Sequence, residues 1–316
     1  MRSIVLTTLF LCLAASALPV IAQEIDEATA TRRKALMKIM PLSFGMTVQM
    51  TADGKTLNSM FIENGDEPDF QQFIGTTDEQ YQEFSDYMLA NKEIVRGQSQ
   101  PLMEQIAAEN DPGKIAELAA TFQANVMALV DNAEAKAAEI LTPEQVLKIR
   151  ELELHKNKLL QEEGFPIYNF EAYTALNLTE EQTKQLHETR DGFHKEQADL
   201  IARYSKAMPK PGENLDKQAM EQRMKQIQAV AEEGKKLTAR IVAKTQSILT
   251  RDQMAKLDAM LKTTPECFTN MLKRQGTPPP KIDEKKYADW QKAWKPGDPI
   301  PKDYRQHEKA RRRPFP

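Results

Sequence analysis

His187 and His194 stand seven residues apart, two helical turns, with Glu188 and Asp191 between them. Imidazole and carboxylate are ordinary zinc ligands, so these histidines are the candidates for a metal site. They are weak candidates, because two histidines on a helix surface are more often solvated side chains than ligands. For His155 and His307 the sequence names no partner. The chain has no CxxC, no HExxH, no Gly-rich phosphate loop and no nucleophile–base arrangement. Its many carboxylates fall among lysines at helical spacing, which describes a solvated helix face. Neither an enzyme nor a cofactor is expected.

The elements that would position such residues are announced by a repeated pattern. Leu141-Thr142-Pro143-Glu144-Gln145, Leu178-Thr179-Glu180-Glu181-Gln182 and Leu249-Thr250-Arg251-Asp252-Gln253 share one plan, and Thr76-Thr77-Asp78-Glu79-Gln80 is a worn fourth copy. The Thr suits a helix N-cap, its hydroxyl accepting from the backbone N–H three residues on, while the Gln reaches back to the cap's own N–H. Leu before the cap can staple onto Val146 in one copy and Met254 in another. Pro143 occupies the first helical position, where a missing N–H costs nothing. Thr77, Gln80, Thr142, Gln145, Thr179, Gln182, Thr250 and Gln253 are therefore helix-capping residues.

Between the caps the apolar residues keep helical spacing. Tyr81, Phe84, Met88 and Val95 follow Thr77, with Pro101 and Asn110-Asp111-Pro112-Gly113 as punctuation. Ile115, Leu118, Phe122, Val126, Leu129, Ala133 and Ile140 mark the next helix, and Val146, Ile149 and Leu152 a third, to about Glu163. The plan then recurs. Leu186, Phe193, Leu200, Ile201 and Tyr204 follow Thr179; Met220, Met224, Ile227 and Ile241 line a long helix; Leu257 and Met260 follow Thr250. Two capped starts at similar separation in each half read as an internal duplication.

The ends differ from this body. Arg2, the apolar run Ile4–Ala17 and Val20-Ile21-Ala22 read as a secretory signal peptide over 1–22, so a periplasmic or secreted location is expected, with no membrane span after cleavage. Cys267 is then the one remaining thiol, either a small buried hydrophobe or a site of intermolecular pairing. Residues 24–40 suggest a short helix, and Thr47–Met50 with Ser59–Ile62 a small hairpin around Asp53-Gly54. After Gly276 eleven Lys/Arg face six Asp/Glu in a Pro-rich stretch that reads as disordered. From Gln23 to Gln275, 31 bases face 40 acids, and this acidic body argues against a nucleic-acid partner.

Four such motifs in two spaced pairs behind a leader resemble the Spy/CpxP family of periplasmic proteins. Asn177–Leu186 is similar to that family's first motif and Ile248–Gln253 to its second; the likeness covers about 75–163 and 165–265. It implies an all-α fold of two tandem elongated helical-hairpin units with coiled-coil character. The division would be 1–22 leader, 23–74 a small N-terminal helix and irregular segment, 75–163 unit one, 164–268 unit two, and 269–316 a basic tail. It also implies an ATP-independent stress-response chaperone for unfolded or partly folded proteins, with an envelope sensor as a further partner. The assembly would be a pseudo-dimer within one chain or a homodimer. The residues expected to hold clients are Phe84, Met88, Phe122, Val126, Phe193, Leu200, Ile201, Tyr204, Met220, Met224 and Ile227. Unbranched methionines suit an adaptable surface of this kind, though gap-filling in a core is as good an explanation of them. The alternatives are a zinc-binding regulator of envelope stress and a non-catalytic scaffold docking through its basic tail.

Overall fold

The computed structural model describes residues 53–162, 168–207 and 217–275, together with Thr31, Ala35, Met50, Thr51, Lys285, Lys286 and Asp289. Every regular element among them is helical, and the fold is all-α. The helices are α1 (Leu57–Asn64), α2 (Pro68–Ile74), α3 (Asp78–Ala108), α4 (Pro112–Ile140) and α5 (Pro143–Glu162), then a 3₁₀ helix η1 (Glu171–Leu176). They continue with α6 (Glu180–Ala207), α7 (Lys217–Ile248), α8 (Arg251–Lys262) and α9 (Glu266–Gln275). Among the described residues no helix is long and apolar enough to cross a membrane. The expected leader, most of the helix at 24–40 and most of the tail lie outside the described residues.

Among the described residues two compact units divide the chain, one holding residues 57–146 and 265–275, the other residues 53–56 and 147–264. In the first, α3 and α4 form an antiparallel hairpin, Tyr87 donating to the Asn132 carbonyl at 3.4 Å and Lys136 pairing with Glu83 at 2.8 Å. Helix α1 packs on both. Its Phe61 stacks on Phe84 with ring centroids 5.3 Å apart and meets Tyr81 edge-on at 6.1 Å. Each of these buried rings is worth about 2–3 kcal/mol of apolar transfer. Glu134 of α4 accepts from the backbone N–H groups of Leu57 and Asn58, at 2.9 and 3.0 Å, occupying the two donors that open α1.

That arrangement corrects two expectations. Ser59–Ile62 belong to a helix and not to a hairpin strand, while Thr47–Gln49 lie outside the described residues. A short apolar run fits either period, and the Phe61 pocket together with the Glu134 cap decides for helix. Nor does Pro101 break its helix, for α3 runs through it to Ala108. Termination comes at the Asn110–Gly113 cluster, where Asp111 caps α4 by accepting from the Lys114 N–H. Helix α9 packs on α2, its Asn270 and Arg274 both donating to the Asp69 carboxylate.

In the second unit α6 and α7 form the antiparallel hairpin. Its core gathers Leu186, Phe193 and Leu200 of α6, Leu237 and Ile241 of α7, Leu257 of α8 and Leu154 of α5 around the aromatic segment Tyr168–Tyr173. Phe170 meets Phe193 edge-on at 5.6 Å, and the Tyr168 hydroxyl donates to that of Tyr173. Asn177 ends η1 at φ 55°, a left-handed position that Asn tolerates.

Candidate functional site

All four Thr–Gln boxes form. Gln80, Gln145, Gln182 and Gln253 accept at Oε1 from the cap N–H groups of Thr77, Thr142, Thr179 and Thr250, at 2.9–3.1 Å. Those Thr hydroxyls accept in return from the Gln backbone N–H groups. The glutamines do more than cap. In the first unit the Gln80 amide donates to the Ile140 carbonyl (2.8 Å) and to Gln145 Oε1 (3.0 Å), and the Gln145 amide donates to Gly75 and back to Gln80. In the second, Gln182 donates to the Ile248 carbonyl (2.9 Å) and to Gln253, while Gln253 donates back to Gln182 (3.0 Å) and reaches the Leu176 and Asn177 carbonyls. Each hairpin is therefore clasped at its open end by two glutamines that cap their own helices and bind the chain leading to the other's. Glutamate could cap but has no N–H to donate. The paired spacing of the motifs was the signal for this clasp; a single copy carries none.

His187 and His194 lie on one face of α6 with Arg190 between them. His187 Nε2 is 2.9 Å from the Glu171 carboxylate and His194 Nε2 is 2.9 Å from Asp53. Arg190 approaches both acids, at 3.7 and 3.4 Å. The face is thus an ion-pair ladder tying the 53–56 turn and η1 to α6. Burial pushes the Asp53 carboxyl up, but the His194 hydrogen bond with the charges of His194, Arg190 and Lys55 outweighs it and leaves the group below its ordinary value. Glu188 and Asp191 are not part of the contacts to either imidazole, and no group of three metal-ligating side chains occurs among the described residues.

The same turn is held from beneath. Arg150 donates to the Gly54 carbonyl at 2.9 Å, to Thr56 Oγ1 at 3.2 Å and to Glu153 at 2.7 Å; Thr56 also donates to Glu153. Arg150 and Glu153 are both buried, so the pair is a positioning device that needs every partner present. Nothing in a one-dimensional pattern links residues 53–56 to residues 150, 153, 171 and 194, and the sequence reading missed this site.

The expected client-holding residues divide by exposure. Phe84, Phe193 and Leu200 are buried in the cores. Helical periodicity finds the apolar face but does not say whether that face meets a neighbour or water. Met88, Phe122, Val126, Ile201 and Ile227 are half-buried, while Met220 and Met224 are 42% and 46% exposed. Tyr204 lies on α6 with its side chain outside the described residues.

The uncovered residues have a common cause in two-layer geometry. On α4 the sealed positions are Ala119, Ala133 and Ala137, whereas Ile115, Leu118, Phe122, Val126, Leu129 and Val130 are all half-exposed along the seam with α3. In the other hairpin the pairs Arg240–Glu196 and Arg203–Glu233 fix the register. Met220, Met224 and Ile227 sit at helical spacing in the first turns of α7. No family model, curated protein or solved structure matches the chain.

Proposed function

We propose that this chain is an ATP-independent holdase, a stress-response chaperone of the cell envelope that keeps unfolded or partly folded polypeptides from aggregating. The half-covered apolar faces carry the proposal. Two hairpins leave Phe122, Val126 and their neighbours half-exposed on one unit, and Met220 and Met224 open on the other. Partly uncovered apolar side chains at helical spacing suit a binding face. Methionine adapts its shape to many partners, which suits a binder without sequence preference.

The paired Thr–Gln motifs add support through their resemblance to the Spy/CpxP family, whose members hold clients without nucleotide. Their glutamine clasps give each hairpin a rigid base from which the apolar faces extend. A zinc-regulator reading gains nothing from the histidines, whose Nε2 atoms already face carboxylates.

The test is light scattering of an unrelated protein diluted from denaturant. The chain should suppress aggregation at near-stoichiometric ratio without ATP, and Met220→Ala with Met224→Ala should weaken suppression. An unchanged scattering curve at several-fold excess of chaperone would sink the proposal.

A further inference from the structure

Methionine is an apolar side chain whose polarity a mild oxidant reverses, because its thioether sulfur keeps a lone pair that can take up oxygen. Access to that sulfur decides which methionines react, and the fold sorts them. Met60, Met103 and Met271 are buried, at 5–8% exposure, and Met50, Met88, Met127, Met254 and Met260 are half-buried. Among the described residues the exposed methionines are Met220 and Met224. They stand four residues apart on α7, so both thioethers share one helix face. That face is the open part of the proposed client surface.

We propose that Met220 and Met224 form a reversible oxidation site at which a peroxide switches off the holding of clients by α7. A sulfur lone pair attacks one peroxide oxygen; the S–O bond forms as the O–O bond breaks, a proton passes to the departing oxygen, and water leaves. The sulfur is oxidised by two electrons and the peroxide is reduced. The sulfoxide oxygen is a strong hydrogen-bond acceptor, and an apolar client side chain laid over it strips its water without replacing the bond. Two thiols reverse the change through a methionine sulfoxide reductase, leaving as a disulfide and carrying the oxygen off as water. Both sulfurs are already open to solvent, so their oxidation forces nothing apart in the core of the second unit. Binding changes and folding does not. This rests on the holdase reading and names what turns that surface off.

The experiment treats the full chain with hydrogen peroxide for timed intervals, quenches it, and reads each methionine by peptide mass mapping. Met220 and Met224 should oxidise about ten-fold or more faster than Met60, Met103 and Met271. With the pair oxidised, circular dichroism should be unchanged while suppression of aggregation falls by about three-fold or more. Reductases for both sulfoxide epimers, with a thiol, should restore it. Met220→Leu with Met224→Leu keeps an apolar side chain at each position without an oxidisable sulfur. Whatever its starting level, its suppression should have the same value before and after peroxide. Oxidation of the buried methionines at the same rate as the pair overturns the proposal. So does a peroxide loss that the leucine variant shares with the parent, or one that the reductases do not reverse. A parent that suppresses equally before and after oxidation leaves the holdase reading standing and overturns the switch alone. A parent that never suppresses aggregation removes both, although the mass map still shows whether the pair is the site of oxidation.

Discussion

Gln182 and Gln253 exchange side-chain hydrogen bonds, amide to carbonyl in both directions at 2.6 and 3.0 Å, across the open end of the α6–α7 hairpin. Each also accepts from its own cap N–H and donates to backbone near the other's helix. Gln182 is 8% exposed, so an unmatched group there is not rescued by water.

Replacing Gln182 by Glu removes the donors to Ile248 and Gln253 and points a carboxylate at two carbonyl oxygens. A loss of about 2–3 kcal/mol is expected, read as a lower chemical-denaturation midpoint. Gln182→Ala, which loses the bonds without burying a charge, should cost less. If the two variants unfold alike, the donor role of the glutamine is wrong.

Gly54 turns the chain at φ 70°, and a Cβ placed there would lie 2.2 Å from the Glu171 Cγ. Gly54→Ala therefore combines backbone strain with a clash against an acid of the ion-pair ladder, and about 2 kcal/mol or more should be lost. Amide exchange should accelerate around residues 53–56 and η1 before it does elsewhere. Uniform acceleration would mean that the turn is not a local clamp.

The helices and their caps were legible because capping is local: a Thr and a Gln three apart meet wherever a helix begins. What lay beyond reach was every relationship across the chain. Glu134 capping α1, Arg150 holding Gly54 and His194 facing Asp53 join residues 77 to 141 positions apart. Spacing places His187 and His194 on one helix face, but their partners Glu171 and Asp53 come from segments with no pattern to connect them. Phe84 and Phe193 show the same limit in the core. Spacing marked them as one face, and only packing revealed that Phe61 and Phe170 close over it.

Acid should weaken the fold through two groups of the second unit. Asp53 is held below its ordinary value of 3.8, so its contribution is fully present above that pH and is lost as pH falls through the lower folded value. His155 is buried and its pKa is lowered from 6.5, chiefly by burial with Lys158 adding repulsion, so the unfolded chain takes up that proton first. Stability should decline as pH drops below about 6.5 from His155 and again below about 4 from Asp53. Urea unfolding across this range should show the upper step vanish in His155→Gln and the lower step shrink in Asp53→Asn. A variant whose profile overlays the parent's rules out that group.

Cys267 is buried, and its thiol is pushed up to about 11 by burial first and the Asp69 charge second. A thiolate is the attacking species in disulfide formation, and almost none exists at neutral pH on such a group. The folded protein should therefore react with a thiol reagent at least about a hundred-fold more slowly than the denatured chain, and should give no disulfide-linked dimer under air. Arg274 and Asn270 hold Asp69 against α9, so Asp69→Asn tests the arrangement from the other side. It removes the charge that disfavours the thiolate and loosens the helix that carries the thiol, so both effects act in one direction and faster labelling is expected. Labelling at the parent's rate in that variant would show that neither the Asp69 charge nor its hold on α9 keeps Cys267 inert.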